Sequence, residues 1–249
     1  MGVKNSVNQI TGKQEFGTFC LRNNLVDYCV YGEGELAFVE LLKGNIDYPG
    51  INQDNQPQLL NLDILPNPSY KQIQPSNYFY SNAPEILING SRGCVRDCTF
   101  CDVASYWKKY IYKSGDVLAA ELFNAWKTTG VLKFDFSDSL INGSISEFRK
   151  FNKQLIQYKN SHPDFVPRYK GQFICRPSTQ FKEIDYAEMA AAGCETIVGT
   201  ALGILIVAPI ANGWYHLAAL CGARDADVFG ILQKILPQNM KDEPPMTCV

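Results

Sequence analysis

From residue 85 onward the chain alternates strand-like runs with amphipathic helices, and that alternation admits few folds. Residues 85–89 (EILIN) read as a strand. A helix follows from 116 to 128, capped by Ser114, with Val117, Leu118, Leu122, Ala125 and Trp126 on one face and Gly130 as its stop. Residues 133–137 (KFDFS) form the next strand, and Ser144 with Glu147 predicts a capping box opening a helix whose face is Ile145, Phe148, Phe151 and Leu155. Residues 171–175 (GQFIC), 183–192 and 195–199 (ETIVG) read as strand, helix and strand. Repeated βα units of roughly 30 residues require a parallel sheet, open or closed into a barrel.

The flanks differ. Residues 26–44 predict a short buried strand, a glycine turn and a short helix with Leu36, Val39 and Leu42 at helical spacing and Gly44 as the stop. Residues 45–80, rich in Pro, Asn, Gln and Asp, read as a linker lying over the surface. Residues 199–223 carry no charge, yet Pro209, Asn212, Gly213 and His216 interrupt what would need ~20 apolar residues to span a membrane. A buried helix or a strand pair is the expectation there. Net charge is −2, with no like-charged block, so composition provides no nucleic-acid or membrane footprint. The polar first residues lack a secretory layout, and nine cysteines then imply reduced thiols in the cytoplasm.

Three of those cysteines stand within eight residues, in Ser91-Arg-Gly-Cys94-Val-Arg-Asp-Cys98-Thr-Phe-Cys101. Thiolates hold iron–sulfur clusters, and a cubane normally takes four. Three ligands in one loop leave one iron open to another ligand. A zinc site needs four ligands and favours Cys-x2-Cys pairs. Cys175, Cys194 or His162 could complete such a site, although no second Cys-x2-Cys or His-x3-5-His pair exists. Arg92 and Arg96 flank the cysteines and read by default as solvated loop residues.

The spacing Cys-x3-Cys-x-aromatic-Cys, after a strand, resembles the signature loop of the radical S-adenosylmethionine superfamily. The resemblance implies a partial (β/α) barrel. It implies Cys94, Cys98 and Cys101 as ligands of a [4Fe–4S] cluster, with Phe100 beside the adenine of S-adenosylmethionine. It further implies that reductive cleavage of S-adenosylmethionine supplies a 5′-deoxyadenosyl radical, with a flavodoxin or ferredoxin as reductant. Asp138, just past the second strand, matches the position that meets the cofactor's ammonium group, and Asp135 is a weaker match within the strand. GQFICRPS is similar to the third strand of the cobalamin-associated branch, where Arg176 would meet a carboxylate of cofactor or substrate, or else cap the barrel rim. Cys175 reads as a small buried residue.

VYGEGELAFVELLKG resembles the closing βα unit of a doubly wound cobalamin-binding domain, but the Asp-x-His-x-x-Gly motif is absent, so cobalamin enters by analogy alone. Where relatives continue with a Gly-Ile-Glu-Ser-Gly motif, this chain runs VGTALGILIVAPIANG, which is read as truncation or a shifted frame near Gly199. The expected layout is therefore 1–44 as the remnant of an N-terminal α/β domain, 45–80 as linker, 81–198 as the barrel and 199–249 as a divergent apolar segment. The function expected is that of a radical enzyme, with methyl or methylthio transfer implied by the branch. A catalytically inactive cluster-binding protein is the alternative, and a zinc-stabilised interaction domain a third.

Overall fold

The computed structural model describes residues 16–53, 58–72, 77, 84–96, 101, 103–107, 109–174, 176–177, 179–201 and 204–209. The period-two alternation of apolar and polar side chains decides which way each central strand faces. In β1 (Glu85–Ile88), Ile86 and Ile88 are buried while Glu85 and Leu87 face away. A short antiparallel pair, β2 (Ser91–Arg92) and β3 (Ile111–Tyr112), follows β1. Strand β4 (Lys133–Phe136) buries Phe134 and Phe136, and β5 (Arg168–Phe173) buries Tyr169 and Phe173. With β6 (Cys194–Ala201) and β7 (Ile204–Pro209) they form a sheet in the order β1-β4-β5-β6-β7. The first four strands are parallel, and β7 returns antiparallel to β6.

Six α-helices are described. They are α1 (Phe16–Arg22), α2 (Gly34–Leu42), α3 (Val103–Tyr106), α4 (Gly115–Thr129), α5 (Ile145–Ser161) and α6 (Glu183–Ala192). The last three connect successive parallel strands, and their apolar stripes lie on one face of the sheet. Leu122 of α4, Phe151 and Leu155 of α5 and Met189 of α6 close over Phe134, Phe136 and Tyr169. Each such side chain contributes about 1.5–3 kcal/mol on burial. The helices are also tied by charge, since Arg149 of α5 grips both oxygens of Asp185 of α6 at 2.6 and 2.7 Å. The opposite face of the sheet is polar: Lys170 lies 2.8 Å from Glu85 and 3.3 Å from Asp135.

The parallel α/β alternation agrees with the sequence reading, and several details differ. The third strand starts at Arg168 and ends at Phe173, because Arg168 and Lys170 occupy its open face and hide the alternation with Tyr169. Cys175 lies outside the described residues. Instead of a capping box, the Glu147 carboxylate accepts the Gly115 N–H at 2.9 Å, so the first turn of α5 caps its neighbour α4. Ser144 makes no side-chain cap. No strand forms at 26–30: Val30 makes a single bridge to Ile51, and Leu36, Val39 and Leu42 of α2 are exposed while Ala37 is its buried contact. After Gly199 the apolar run continues as the β6–β7 pair, and residues 210–249 are outside the described part. Within 45–80, Leu59 and Leu62 pack on Ile111, and Asp63 accepts the Ser114 N–H at 2.8 Å.

Gly193 ends α6 with φ +106°, and a Cβ there would stand 1.9 Å from the Pro167 carbonyl oxygen. Gly193→Ala should therefore cost about 1–3 kcal/mol or more, read as a lowered urea midpoint. An unchanged midpoint would show that the turn into β6 tolerates a side chain.

Candidate metal centre

The cysteine loop leaves the sheet at the C-terminal end of β1. Its two arms are paired at the base, Ser91 with Tyr112 and Arg92 with Ile111, through β2 and β3. Gly93 makes the first bend at φ +83°, where a Cβ would stand 2.9 Å from the Lys109 carbonyl and 3.1 Å from Cβ of Trp107. Only glycine fits this crossing of the arms. Two-residue strands carry no periodic signal, which is why this closure was not legible in the sequence.

Cys94 and Cys101 are half-buried, unbridged thiols. The Arg96 N–H points to Cys94 Sγ at 3.4 Å. Cys98 and Phe100 lie outside the described residues. Among the described residues, no three His, Cys, Asp or Glu side chains gather as a metal site. The donors that are present suit an iron–sulfur cluster: soft sulfur ligands on a short loop, with a backbone N–H donor to one of them. Two proposed completions of a zinc site lie at the other end of the sheet. Cys194 begins β6, and His162 ends α5 against the Phe123 ring, 4.7 Å between centroids. Both are at the N-terminal edge of the parallel strands, opposite the cysteine loop.

Asp138, just beyond β4, is 3% exposed. Its carboxylate accepts the Gly90 N–H at 3.0 Å and the Ser91 hydroxyl, joining the end of β4 to the turn that launches the cysteine loop. Burial pushes its pKa up to about 6, against the lowering effect of the Ser91 and Gly90 hydrogen bonds. Ser91 Oγ also lies 3.2 Å from the Leu140 carbonyl. A protonated Asp138 can donate to Ser91 and free its single hydroxyl proton for Leu140. Tyr110, on the returning arm, is likewise raised to about 12, chiefly by burial.

Arg176 follows β5 and donates from Nη2 to the carbonyls of Asn142 (3.3 Å) and Gly143 (2.9 Å), and its buried Nε has no partner among the described residues. Asn142, fully buried, binds the N–H and C=O of Ile174 at 2.9 and 2.8 Å and holds that rim in place. Asp135 faces the open side of the sheet beside Lys170. Arg92 is not a solvated loop residue: it is paired with Glu33 and Glu35 beside a cavity of about 800 Å³ that also touches Phe38, Val103 and Trp107. Sequence reading missed Glu33 and Glu35 as site residues, although the acidic doublet in YGEGE was a visible signal.

The fold is similar to that of the radical S-adenosylmethionine methyltransferase TsrM from Kitasatospora setae. Its structure with cobalamin and a [4Fe–4S] cluster bound matches at a TM-score of 0.55 and 19% identity, over 73% of this chain and 39% of TsrM. The structure with tryptophan substrate and an S-adenosylmethionine analogue matches at 0.55 and 19%, over 74% and 39%. An uncharacterized methyltransferase of Pyrococcus horikoshii is 29% identical over 130 residues, 45% of this chain and 28% of its own length. The anaerobic magnesium-protoporphyrin IX monomethyl ester cyclase of Synechocystis is 23% identical over 129 residues, 45% of this chain and 26% of its own. The matched part is well under half the length of each of these relatives. No family model matches the chain. The resemblance to the radical S-adenosylmethionine superfamily thus rests on a shared α/β fold and a distant sequence likeness. No described helix is long and apolar enough to cross a membrane.

A folded-state pKa near 6 for Asp138, above its ordinary 3.8, means that the native protein holds this proton more tightly than the unfolded chain. That contribution is fully present below pH ~4 and is lost as pH rises through ~6, a change of about 3 kcal/mol. Asp138→Asn lacks the titration. Wild type should therefore lose stability relative to Asp138→Asn between pH 4 and 7, measured by urea unfolding of both proteins. A constant difference across that range would mean that Asp138 ionises as it does in water.

Proposed function

We propose that this chain is a radical S-adenosylmethionine protein whose Cys94, Cys98 and Cys101 hold a [4Fe–4S] cluster. The observation that carries the reading is the three-thiol loop, closed at its base by β2 and β3, at the C-terminal end of the first strand of a parallel sheet. Barrel enzymes collect their chemistry at that edge. The polar second face of the sheet supports a partial barrel, since Glu85, Asp135 and Lys170 suit a solvated lumen better than a second helical layer. Residues 81–198 would form this barrel. Residues 1–44 would belong to a preceding α/β unit, with 45–80 as its connection and 199–249 as a divergent apolar segment.

When bound, the cluster supplies the electron that splits S-adenosylmethionine into methionine and a 5′-deoxyadenosyl radical. The residues of the chain bind and orient the co-substrate. Phe100 would lie beside the adenine. Asp138 would face the ammonium group, a role that follows from its place just past β4. Arg176 would offer its unpartnered Nε to a carboxylate. Methyl or methylthio transfer is the reaction we favour, by analogy with the methyltransferases named above. Cobalamin enters only by analogy with the neighbour that binds it, since the sequence carries no Asp-x-His-x-x-Gly motif, and the proposed chemistry does not use it. A flavodoxin- or ferredoxin-like reductant in the cytoplasm completes the proposal.

Anaerobic reconstitution with iron and sulfide should yield a brown protein that forms 5′-deoxyadenosine from S-adenosylmethionine after reduction. Alanine at Cys94, Cys98 or Cys101 should reduce both iron content and product to background, while alanine at Cys20, Cys29 or Cys248 should leave them intact. A cluster without product would favour the inactive cluster-binding reading. Stoichiometric zinc without sulfide would overturn the cluster assignment.

A further inference from the structure

We infer that Arg92 is a positioning residue through which the N-terminal segment around α2 sets the geometry and the charge of the cysteine loop. The inference rests on the reading of that loop as a cluster site. Arg92 ends β2, and only Gly93 separates it from Cys94. Its guanidinium donates to Glu33 Oε1 at 2.5 Å and to both oxygens of Glu35. It also lies 5.6 Å from the ring centre of Trp107, which stands on the returning arm of the loop. One side chain therefore touches the N-terminal unit and both arms of the cysteine excursion. A planar fork can satisfy two carboxylates and stack on an indole at once, which an ammonium group cannot.

The partners are themselves fixed. Glu33 is 5% exposed, and its second oxygen accepts the Leu59 N–H, so it cannot swing away without leaving a buried charge unpaired. The segment before it is anchored by the Val30–Ile51 bridge, by Tyr31 N–H to the Gly50 carbonyl at 2.7 Å, and by Cys29 N–H to the Asn52 side chain at 2.8 Å. Both carboxylates also sit at the start of α2, where the helix N-terminus favours negative charge. The trio carries two negative charges against one positive. Its net negative charge, two residues from a thiolate ligand, opposes the addition of an electron to the cluster.

Glu35 is the gentlest place to test this, because its side chain is 38% exposed and Glu33 remains to hold Arg92. In the full chain reconstituted with iron and sulfide, Glu35→Gln should raise the midpoint potential, followed by electron paramagnetic resonance. Arg92→Lys keeps the charge and loses the fork, and should release iron to a ferrous chelator several-fold faster than wild type. In the metal-free protein, Arg92→Lys should speed amide hydrogen exchange in residues 29–35 and 90–94 together. Wild-type potential, chelation rate and exchange in both variants would overturn the inference and reduce the trio to a surface ion pair. If wild type takes up no cluster, the reading of the site fails instead, and exchange in the metal-free protein still decides whether the clamp exists.

Discussion

The buried Asp138 carboxylate joins two places that the chain itself separates by 48 residues: the exit of β4 and the turn at Gly90 and Ser91. Every later feature of the site hangs from that turn. β2 starts at Ser91, Arg92 reaches the N-terminal unit from it, and Gly93 bends the chain into the cysteines. A carboxylate in this position is expensive to ionise, as its raised pKa records, and the hydrogen bonds from Gly90 and Ser91 recover part of that cost. The sheet below supplies the rigidity. Phe134, Phe136 and Tyr169 lock β4 and β5 under α4, α5 and α6, so Asp138 is presented from a fixed strand end.

The alternation of strands and helices was legible because Ile86, Ile88, Phe134, Phe136, Phe148, Phe151 and Leu155 repeat at periods of two or near 3.6 residues, which sequence displays directly. The extent of β5 was not, since its open face carries Arg168, Lys170 and Gln172 where an apolar run was sought. Glu147 shows another limit. Its spacing from Ser144 is that of a capping box, yet the adjacent start of α4 offers its carboxylate another donor, the Gly115 N–H. Local pattern cannot reveal a competitor that only packing brings near.

The same division runs through the candidate site. The places of the thiols and of Asp138 could be read residue by residue, because both follow strands that periodicity had already located. The role of Arg92 could not, since its partners Glu33 and Glu35 are 59 and 57 residues away and α2 presents Leu36, Val39 and Leu42 outward rather than to the core. An amphipathic reading of α2 therefore pointed to the wrong face. A charge network around Arg92 and backbone hydrogen bonds near Tyr31 help hold this unit, attachments that leave no hydrophobic period.

The central claim is that three thiolates on one loop hold a cluster with one iron left for S-adenosylmethionine. Mössbauer spectroscopy of the anaerobically reconstituted wild-type protein, with and without S-adenosylmethionine, addresses it most directly. The account predicts a cubane signal in which one iron is distinct from the other three and changes when S-adenosylmethionine is added. Four equivalent thiolate-bound irons that ignore S-adenosylmethionine, or no cubane signal at all, would contradict it.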